Sequence, residues 1–543
     1  MSVELYPEFY NDVFGPVMQP GSSSHTAGPC RLGYLAGGLL GEEPRKIRIL
    51  LDKHSSFAGT FGLMAEDSAM LAGALGMLPD DPRLYQARKI VRQTGIEAGF
   101  EFGDMLESRH PNAIKFILTG ASSKTASLVG DSTGGGMVKT QVVNGFPLRF
   151  KGDSFLCLLF DPEGALPEAA FEQFAAAQSG LVETGSSTAA GKARMYFLRT
   201  SSQPDMQALR TKYPTFSSAL LKPVLPVITS PGRKPQLFRT MSDWRKIAQE
   251  RGIPLWEAAV HYEVDASGWT PEQVIAYMRM IERKMYRQTH AVYEETLPIP
   301  QSPFKPDMAG EWQRYATSTR SLSDGVTAET IRLAYGAGAG IPGVEVVAGP
   351  MGSGGGYIHA ALWAVKEARG FSADDLLRGL FIAAGIGAIA YSRTEPTGER
   401  TGCSGETGIC GAMAAAAVTE MAGGTPEQVE NAASLSLQSA TGIPCDPIPG
   451  GFGQPCRSRI LTAVCMASVF ADLALAGRQA VLPLHEAIDV MDAVGRKLPG
   501  ELLCTSLGGA AAAPAALRQT LEFRLWYEQT EKDGTPRPPG NLI

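Results

Sequence analysis

Three cysteines stand in contexts that are unusual for core thiols: Cys403 in TGCSGETG, Cys445 in GIPCDPIPGG and Cys456 in GQPCRSRI. Each lies beside Gly or Pro, where backbone amides can turn toward a bound anion or sulfide. Cys445 follows Cys403 by 42 residues and Cys456 follows Cys445 by 11, which matches neither zinc-finger nor ferredoxin spacing. Spacing alone leaves two readings open, a metal site or buried free thiols. A second candidate is the turn Gly21-Ser22-Ser23-Ser24-His25-Thr26, crowded with hydroxyls and holding one of seven histidines. Its hydroxyls and amides can bind a carboxylate, and its imidazole titrates near neutrality; a helix N-cap with a surface histidine is the plainer alternative. Residues 131–136 (DSTGGG) have phosphate-loop composition, but they follow one strand pattern and precede another, so a sheet bend is expected.

The elements that position these residues change along the chain. Residues 46–160 alternate β-rich runs with turns: KIRILL, AIKFILTG, TASLVG and MVKTQVVNGFPLRF, with Asn144-Gly145 where a tight hairpin needs positive φ. One helix, over 67–77, interrupts them. SFLCLLF from Ser154, a helix over 167–178 and ARMYFLRT from Ala193 give a strand, helix, strand order that fits a small ferredoxin-like unit. Four prolines within residues 222–235 exclude helix and central strand, so that stretch is a linker. Beyond Ser242 the pattern is helical. Thr270-Pro271-Glu272-Gln273 and Thr425-Pro426-Glu427-Gln428 each supply an N-cap, a first-turn proline and a capping-box glutamine, and Ser372 starts another helix similarly.

Length and composition bound the rest. A chain of 543 residues has room for two to four domains, and 44% hydrophobic with 19% charged residues excludes long disorder. A net charge of −6 without long basic runs argues against nucleic acid and anionic membranes as partners. Eight cysteines are too few for a disulfide scaffold, and the opening MSVELYPEFYNDVFGP has no basic or apolar targeting region, so a cytoplasmic protein is expected. The apolar stretch 380–391 (LFIAAGIGAIAY) is shorter than the ~20 residues that span a bilayer and is expected as a buried helix.

The words GCSGETGICGAMAAAA, GGTPEQVENAA, CDPIPGGFGQPC and DLALAG resemble the catalytic domain of the iron-sulfur-dependent L-serine dehydratases (serine ammonia-lyases). PGSSSHTAGPCRLG, ILTGASSKTASLVGDSTGGGMVKTQVVNG and TSLGGAAAAPAAL resemble the same family in the same order. The resemblance implies a single-chain form, multidomain α+β: a beta-type α+β domain over 1–153, a small ferredoxin-like (ACT-like) regulatory domain over 154–221, a Pro-rich linker over 222–241 and a mostly helical catalytic domain over 242–543. It implies a [4Fe-4S] cluster on Cys403, Cys445 and Cys456 whose fourth iron polarises a β-hydroxyl as a Lewis acid while a base removes the α-proton. The released aminoacrylate becomes an imine and hydrolyses, which for L-serine gives pyruvate and ammonia. By the same resemblance His25, Ser23 and Ser24 are catalytic, Ser22, Thr26 and Ser353 bind substrate, and the protein is a homodimer whose partner molecule is a small amino or hydroxy acid; Arg393, a departure from the family, is added as a substrate-binding residue.

Cys30, Cys157, Cys410, Cys465 and Cys504 match no ligand position of that family and read as ordinary core or surface residues. Cys410, seven residues after Cys403, could face the cluster without binding it. Some family members end in a cysteine that caps the open iron; this sequence ends GTPRPPGNLI, which implies an open resting iron.

Several positions depart from the family's substrate shell. Met64 stands where a GHGTD-type histidine is usual, residues 349–356 (GPMGSGGG) replace a segment like APTAGSCG, changing Met351, Ser353 and Gly354, and residues 392–398 (SRTEPTG) replace a run like NNASISGAEGG. A buried site built to hydrogen-bond one substrate rejects analogues that leave its groups unpaired. Serine is therefore expected to be a poor substrate beside a larger or more acidic β-substituted acid, with Arg393 as the anion partner; the alternative is that Arg393 and Glu395 pair at the surface. A non-catalytic amino-acid sensor is the remaining reading.

Overall fold

The computed structural model describes residues 4–189, 191–297, 303–304, 306–318, 322–323 and 325–533. It is a mixed α+β structure with β-sheets in the N-terminal part and a largely helical C-terminal half. The first sheet runs in space Glu97–Gly103, Pro44–Asp52, Ala113–Gly120, Thr125–Gly134, Met137–Val143 and Phe146–Pro147. Its first pair is parallel and the others antiparallel. The parallel pair needs a crossover, which explains why the single helix expected in this region is in fact several. The helix expected at 67–77 spans Glu66–Ala74, and Ser56–Thr60 and Ala87–Thr94 accompany it. Asn144 (φ 47°) and Gly145 (φ 84°) make the hairpin turn, and Ser127 donates its N–H to Asn144 Oδ1 at 2.8 Å.

Helix Gly28–Leu40 gave no sequence signal because glycines interrupt its apolar stripe. Their use is close approach: a Cβ on Gly33 would lie 2.7 Å from the Met70 carbonyl, and one on Gly73 would overlap the Cys30 carbonyl. The helix therefore packs backbone to backbone on Glu66–Ala74 and lies across the sheet, burying Leu32, Leu35, Leu39 and Leu40.

A second, four-stranded sheet follows in the order Phe155–Asp161, helix Glu168–Ala176, Leu181–Thr188, Arg194–Thr200, helix Met206–Lys212, Ser217–Leu221. In space the strands run fourth, first, third, second, and every pair is antiparallel. Phe171, Phe174, Tyr196, Leu198 and Leu209 close the core between sheet and helices. Residues 222–240, the Pro-rich stretch, hold no helix or strand.

In the helical half, Ile409–Met421 is buried on nearly every side by Ala373–Tyr391, Gly354–Arg369, Pro426–Ser439 and Ala467–Leu475. Its small side chains permit this crowding, and the apolar stretch 380–391 lies in the same core. Thr270 with Gln273, Thr425 with Gln428, and Ser372 with Asp375 all form reciprocal capping boxes. The first described residues leave the sheet for this core: Tyr6, Phe9, Tyr10, Val13 and Phe14 pack there, and Phe9 donates its N–H to Glu263 Oε2 at 2.7 Å. The run Cys456–Leu475 is long and apolar enough, by length and composition alone, to cross a bilayer. It is broken at Met466, buries Ile460, Val464, Ala467, Ala471 and Ala474 in the helical core, and leaves Met466, Val469 and Leu473 exposed.

Candidate active site

Each of the three cysteines is delivered by a different device. Cys403 follows Gly402, whose φ of 65° turns the short helix Gly398–Thr401 into the π-helical turn Ser404–Gly408. Cys445 is fixed by a two-bond backbone bridge, donating its N–H to Leu502 O at 2.8 Å and accepting from Cys504 N at 2.7 Å. Cys456 opens the helix Cys456–Cys465. The three sulfur atoms lie within 4.8 Å of one another, and Cys403 and Cys456 are 3.9 Å apart.

Arg459, three residues past Cys456, donates from Nη1 to Pro444 O (2.6 Å) and Asp446 Oδ1 (2.7 Å) and sits 3.6 Å from Cys403 Sγ. Hydrogen bonds from the Cys445 and Cys456 thiols, aided by Arg459, hold the Cys403 thiol well below the ordinary thiol range despite burial. Thiolates are the metal-binding form, and soft sulfur donors select iron–sulfur clusters, zinc and copper(I). Gly398 leaves room at this point, since a Cβ there would come within 2.6 Å of Cys445 Sγ. The triad therefore fits an iron–sulfur cluster in donor chemistry.

The N-terminal turn reaches the same place. Ser22 caps the π-helical turn Ser23–Ala27, and Ser132 of the strand Thr125–Gly134 donates to the Ser24 carbonyl at 2.7 Å. The first four residues of the DSTGGG word end the strand Thr125–Gly134 and only Gly135-Gly136 turn into the next strand, where the glycines are needed for contact. A Cβ on Gly134 would overlap Thr397, and one on Gly135 would lie 2.5 Å from the Tyr391 hydroxyl. The bare turn thus lets the sheet approach the segment that leads to Cys403.

Between the halves lies a cavity. Ser22, Ser24 and Ser353 line it together with Cys445 and Cys456, and Met64 and Met351 give it apolar walls. Glu399, Glu406 and Arg457, not singled out in the sequence, and Cys504, read there as an ordinary thiol, also line it. Glu399 and Glu406 flank Cys403 in the word GERTGCSGE, so their proximity was legible; Cys504 and Arg457 carried no local signal.

His25 is fully buried behind Ser24, its ring edge-on to Phe57 at 5.0 Å. Its Nδ1 is 3.2 Å from Glu399 Oε1 and 2.9 Å from Ser24 Oγ, and its Nε2 meets Ser56 Oγ at 3.1 Å. Ser24 donates to Glu399 Oε1 at 3.0 Å, while Glu399 Oε2 has no hydrogen-bond partner among the described residues. Burial lowers the imidazole below its ordinary value, against the opposing pull of Glu399. Glu406 is pushed well above the carboxylate range by burial, then by the charges of Glu399 and Cys403. Arg457 stacks on Phe452 at 4.2 Å and donates to the Gly338 carbonyl.

The remaining expected site residues lie elsewhere. Ser23 Oγ donates to Pro350 O at 3.3 Å, and Thr26 Oγ1 donates to Met64 O at 2.7 Å, so both brace the loops that carry the lining. Arg393 is not brought to the cavity. It grips Asp489 through Nε (2.8 Å) and Nη2 (2.5 Å), while Glu395 pairs with Arg400 at 2.9 Å, so Arg393 and Glu395 do not pair with each other either. Gly354 begins helix Gly354–Arg369, and a Cβ there would lie 2.9 Å from the Cys410 thiol. That thiol donates to Gly349 O at 2.6 Å, which turns Cys410 toward this loop instead of the triad.

Residues 250–511 match the family described as serine dehydratase alpha chain. The chain is 29% identical over 283 residues to the probable L-serine dehydratase alpha chain of Bacillus subtilis, covering 51% of this chain and 92% of that one. It is 33% identical over 152 residues to the L-serine dehydratase beta chain of Peptoniphilus asaccharolyticus, covering 28% and 68% respectively. To the L-serine dehydratase of Mycobacterium bovis it is 34% identical over 213 residues, covering 38% and 42%. The chain belongs to the L-serine dehydratase family, as a single chain that joins a beta-chain-like N-terminal region to the alpha-chain domain.

Proposed function

We propose that this protein is a lyase that eliminates water from a β-hydroxy amino acid, with L-serine giving pyruvate and ammonia. The observation that carries the reading is one cavity lined by Cys445 and Cys456 of the cysteine triad from the helical half and by Ser22 and Ser24 from the N-terminal turn, with Cys403 beside the two cysteines and His25 behind Ser24. Cys403, Cys445 and Cys456 would hold a [4Fe-4S] cluster, which supplies Lewis-acid activation of the β-hydroxyl. The cavity's own residues do the rest. Glu399, which lines the cavity and has an unpartnered Oε2, acts as proton acceptor, and His25, paired with its Oε1, has a positioning role reached through Glu399. Glu406, a cavity-lining carboxyl whose burial favours its protonated form, supplies a proton for the departing hydroxyl. Arg457 and the hydroxyls of Ser22, Ser24 and Ser353 offer hydrogen bonds to the substrate carboxylate, and Met64 and Met351 limit water.

The apolar contributions of Met64 and Met351 favour a second reading of the substrate, a larger β-substituted amino or hydroxy acid. Losing paired polar contacts in a buried site costs ~1 to 3 kcal/mol each, enough to lower serine turnover roughly a hundredfold if two are lost. The fourth–first–third–second strand order supports a ferredoxin-like, ACT-like regulatory role for the second sheet. The exposed apolar face at Met466, Val469 and Leu473 supports a homodimer, and we place the protein in the cytoplasm.

The test is anaerobic reconstitution with iron and sulfide, followed by pyruvate and ammonia release from L-serine, L-threonine and larger β-hydroxy acids. Cys445→Ala is expected to lose both iron and turnover. A Cys445→Ala protein with full iron and normal turnover overturns the ligand assignment, and serine turnover as efficient as any alternative settles the substrate as serine.

A further inference from the structure

Cys504 is the thiol whose place the cluster reading leaves unexplained. It lies 59 residues beyond Cys445 in sequence, yet the backbone bridge between them, Cys504 N to Cys445 O at 2.7 Å and Cys445 N to Leu502 O at 2.8 Å, sets the two residues side by side. Cys504 takes a φ of 61°, a left-handed conformation that a residue with a Cβ adopts only when its surroundings impose it. Its thiol is buried, contacts the Cys445 thiol and lines the cavity with Cys445 and Cys456. On its other side the sulfur lies within 4.8 Å of a ring nitrogen of His25 and a carboxylate oxygen of Glu399, and Glu399 Oε2, itself buried, has no partner among the described residues. The other buried thiols are disposed differently: Cys30 donates to Met77 O, Cys410 to Gly349 O, and Cys157 packs in the second sheet's core.

Three thiolates leave one iron of a four-iron cluster without a protein sulfur. We infer that Cys504 is a fourth cluster ligand in the resting protein, closing the iron that the substrate must reach. This rests on the cluster reading above and revises the open resting iron expected from the sequence. The exchange is redox-neutral. As a ligand Cys504 would bind as the thiolate, its S–H proton passing to the Glu399–His25 pair 4.8 Å or less away, and on release of the thiolate Cys504 would take that proton back. Cys504 is in this sense a built-in guard against water and oxygen at the reactive iron.

The experiment uses the full-length protein reconstituted anaerobically with ⁵⁷Fe and sulfide, comparing wild type, Cys504→Ala, Cys504→Ser and Cys410→Ala. Mössbauer spectra report whether one iron differs from the other three, and the electron paramagnetic resonance signal of the three-iron form, after a brief ferricyanide pulse, reports how fast that iron is lost. Wild type and Cys410→Ala are expected to resist the pulse, whereas both Cys504 variants lose the fourth iron at least about tenfold faster and show a distinct iron site without added substrate. Adding L-serine to wild type should produce the same distinct site. If a cluster forms in wild type and the Cys504 variants match it in spectrum and rate, this inference fails while the cluster reading stands. If wild type assembles no iron–sulfur cluster, both fail. Should Cys504→Ala not fold, the near-isosteric Cys504→Ser carries the comparison alone.

Discussion

Gly398→Ala isolates the space that the cysteine triad requires. A Cβ at residue 398 would stand 2.6 Å from Cys445 Sγ, 3.1 Å from Cys445 Cβ and 3.3 Å from Glu406 Oε2. Carbon contacts settle at about 3.5–4.0 Å, so Cys445 or the 398 backbone must yield by about 1 Å. Cys445 cannot yield freely, because both of its backbone polar groups are committed to Leu502 and Cys504. Overpacking of this kind costs ~1–3 kcal/mol, which a chain of this size tolerates in folding. Ligand placement is less forgiving, since functional groups need to be held within about 0.5 Å. Cluster retention should fall about 10- to 100-fold, the range seen when groups supporting metal ligands are altered. The assay is iron and sulfide per chain, with visible absorbance near 400 nm, during anaerobic dialysis against a chelator, and circular dichroism to confirm folding. Gly99→Ala is the control, because a Cβ there meets nothing within 4 Å and Gly99 lies in a strand. Gly398→Ala retaining iron as wild type does would show that the three thiols do not hold the cluster in this geometry.

Glu399→Gln keeps an oxygen for Ser24 but removes the carboxylate charge beside His25, so kcat should fall by about 10² or more with iron content unchanged; wild-type kcat would remove Glu399 from the proton path. Arg393→Ala breaks a partly exposed pair with Asp489 away from the cavity, and kcat/KM for every substrate tested, dicarboxylic ones included, should stay within about twofold, as surface pairs contribute little. A selective loss with acidic substrates would return Arg393 to the site. Burial, opposed by Arg378, raises Glu420 from 4.5 to about 7. Between those values the folded chain binds more protons than the unfolded one, so wild-type stability falls as pH rises through this window. Glu420→Gln should therefore raise the melting temperature near pH 8, by the equivalent of at most about 3 kcal/mol, and leave it unchanged below pH 4.5; a gain at low pH instead would reverse the assignment.

What the sequence settled alone was local. The capping boxes at Thr270, Ser372 and Thr425, the hairpin at Asn144-Gly145, four runs of the first sheet and two of the four strands of the second depend on residues within a few positions of each other, where backbone preference and side-chain period decide the outcome. The Gly and Pro beside Cys403, Cys445 and Cys456 marked these thiols as unusual but left a metal site and buried free thiols both open, and only the family resemblance grouped them. Helix Gly28–Leu40 was missed because its glycines serve the neighbouring helix, and the strand Glu97–Gly103 because its partner is parallel and distant in sequence. Arg393 illustrates the limit most directly. Its charge suggested a substrate anion, but Asp489, 96 residues away, holds it at the surface, and no local pattern specifies such a pair. Cys504 is the converse case, an ordinary thiol in sequence that a backbone bridge to Cys445 carries to the cavity wall. Residue types limit which chemistry is possible, but the long-range contacts that pay the entropy of closing the chain decide which of those residues meet.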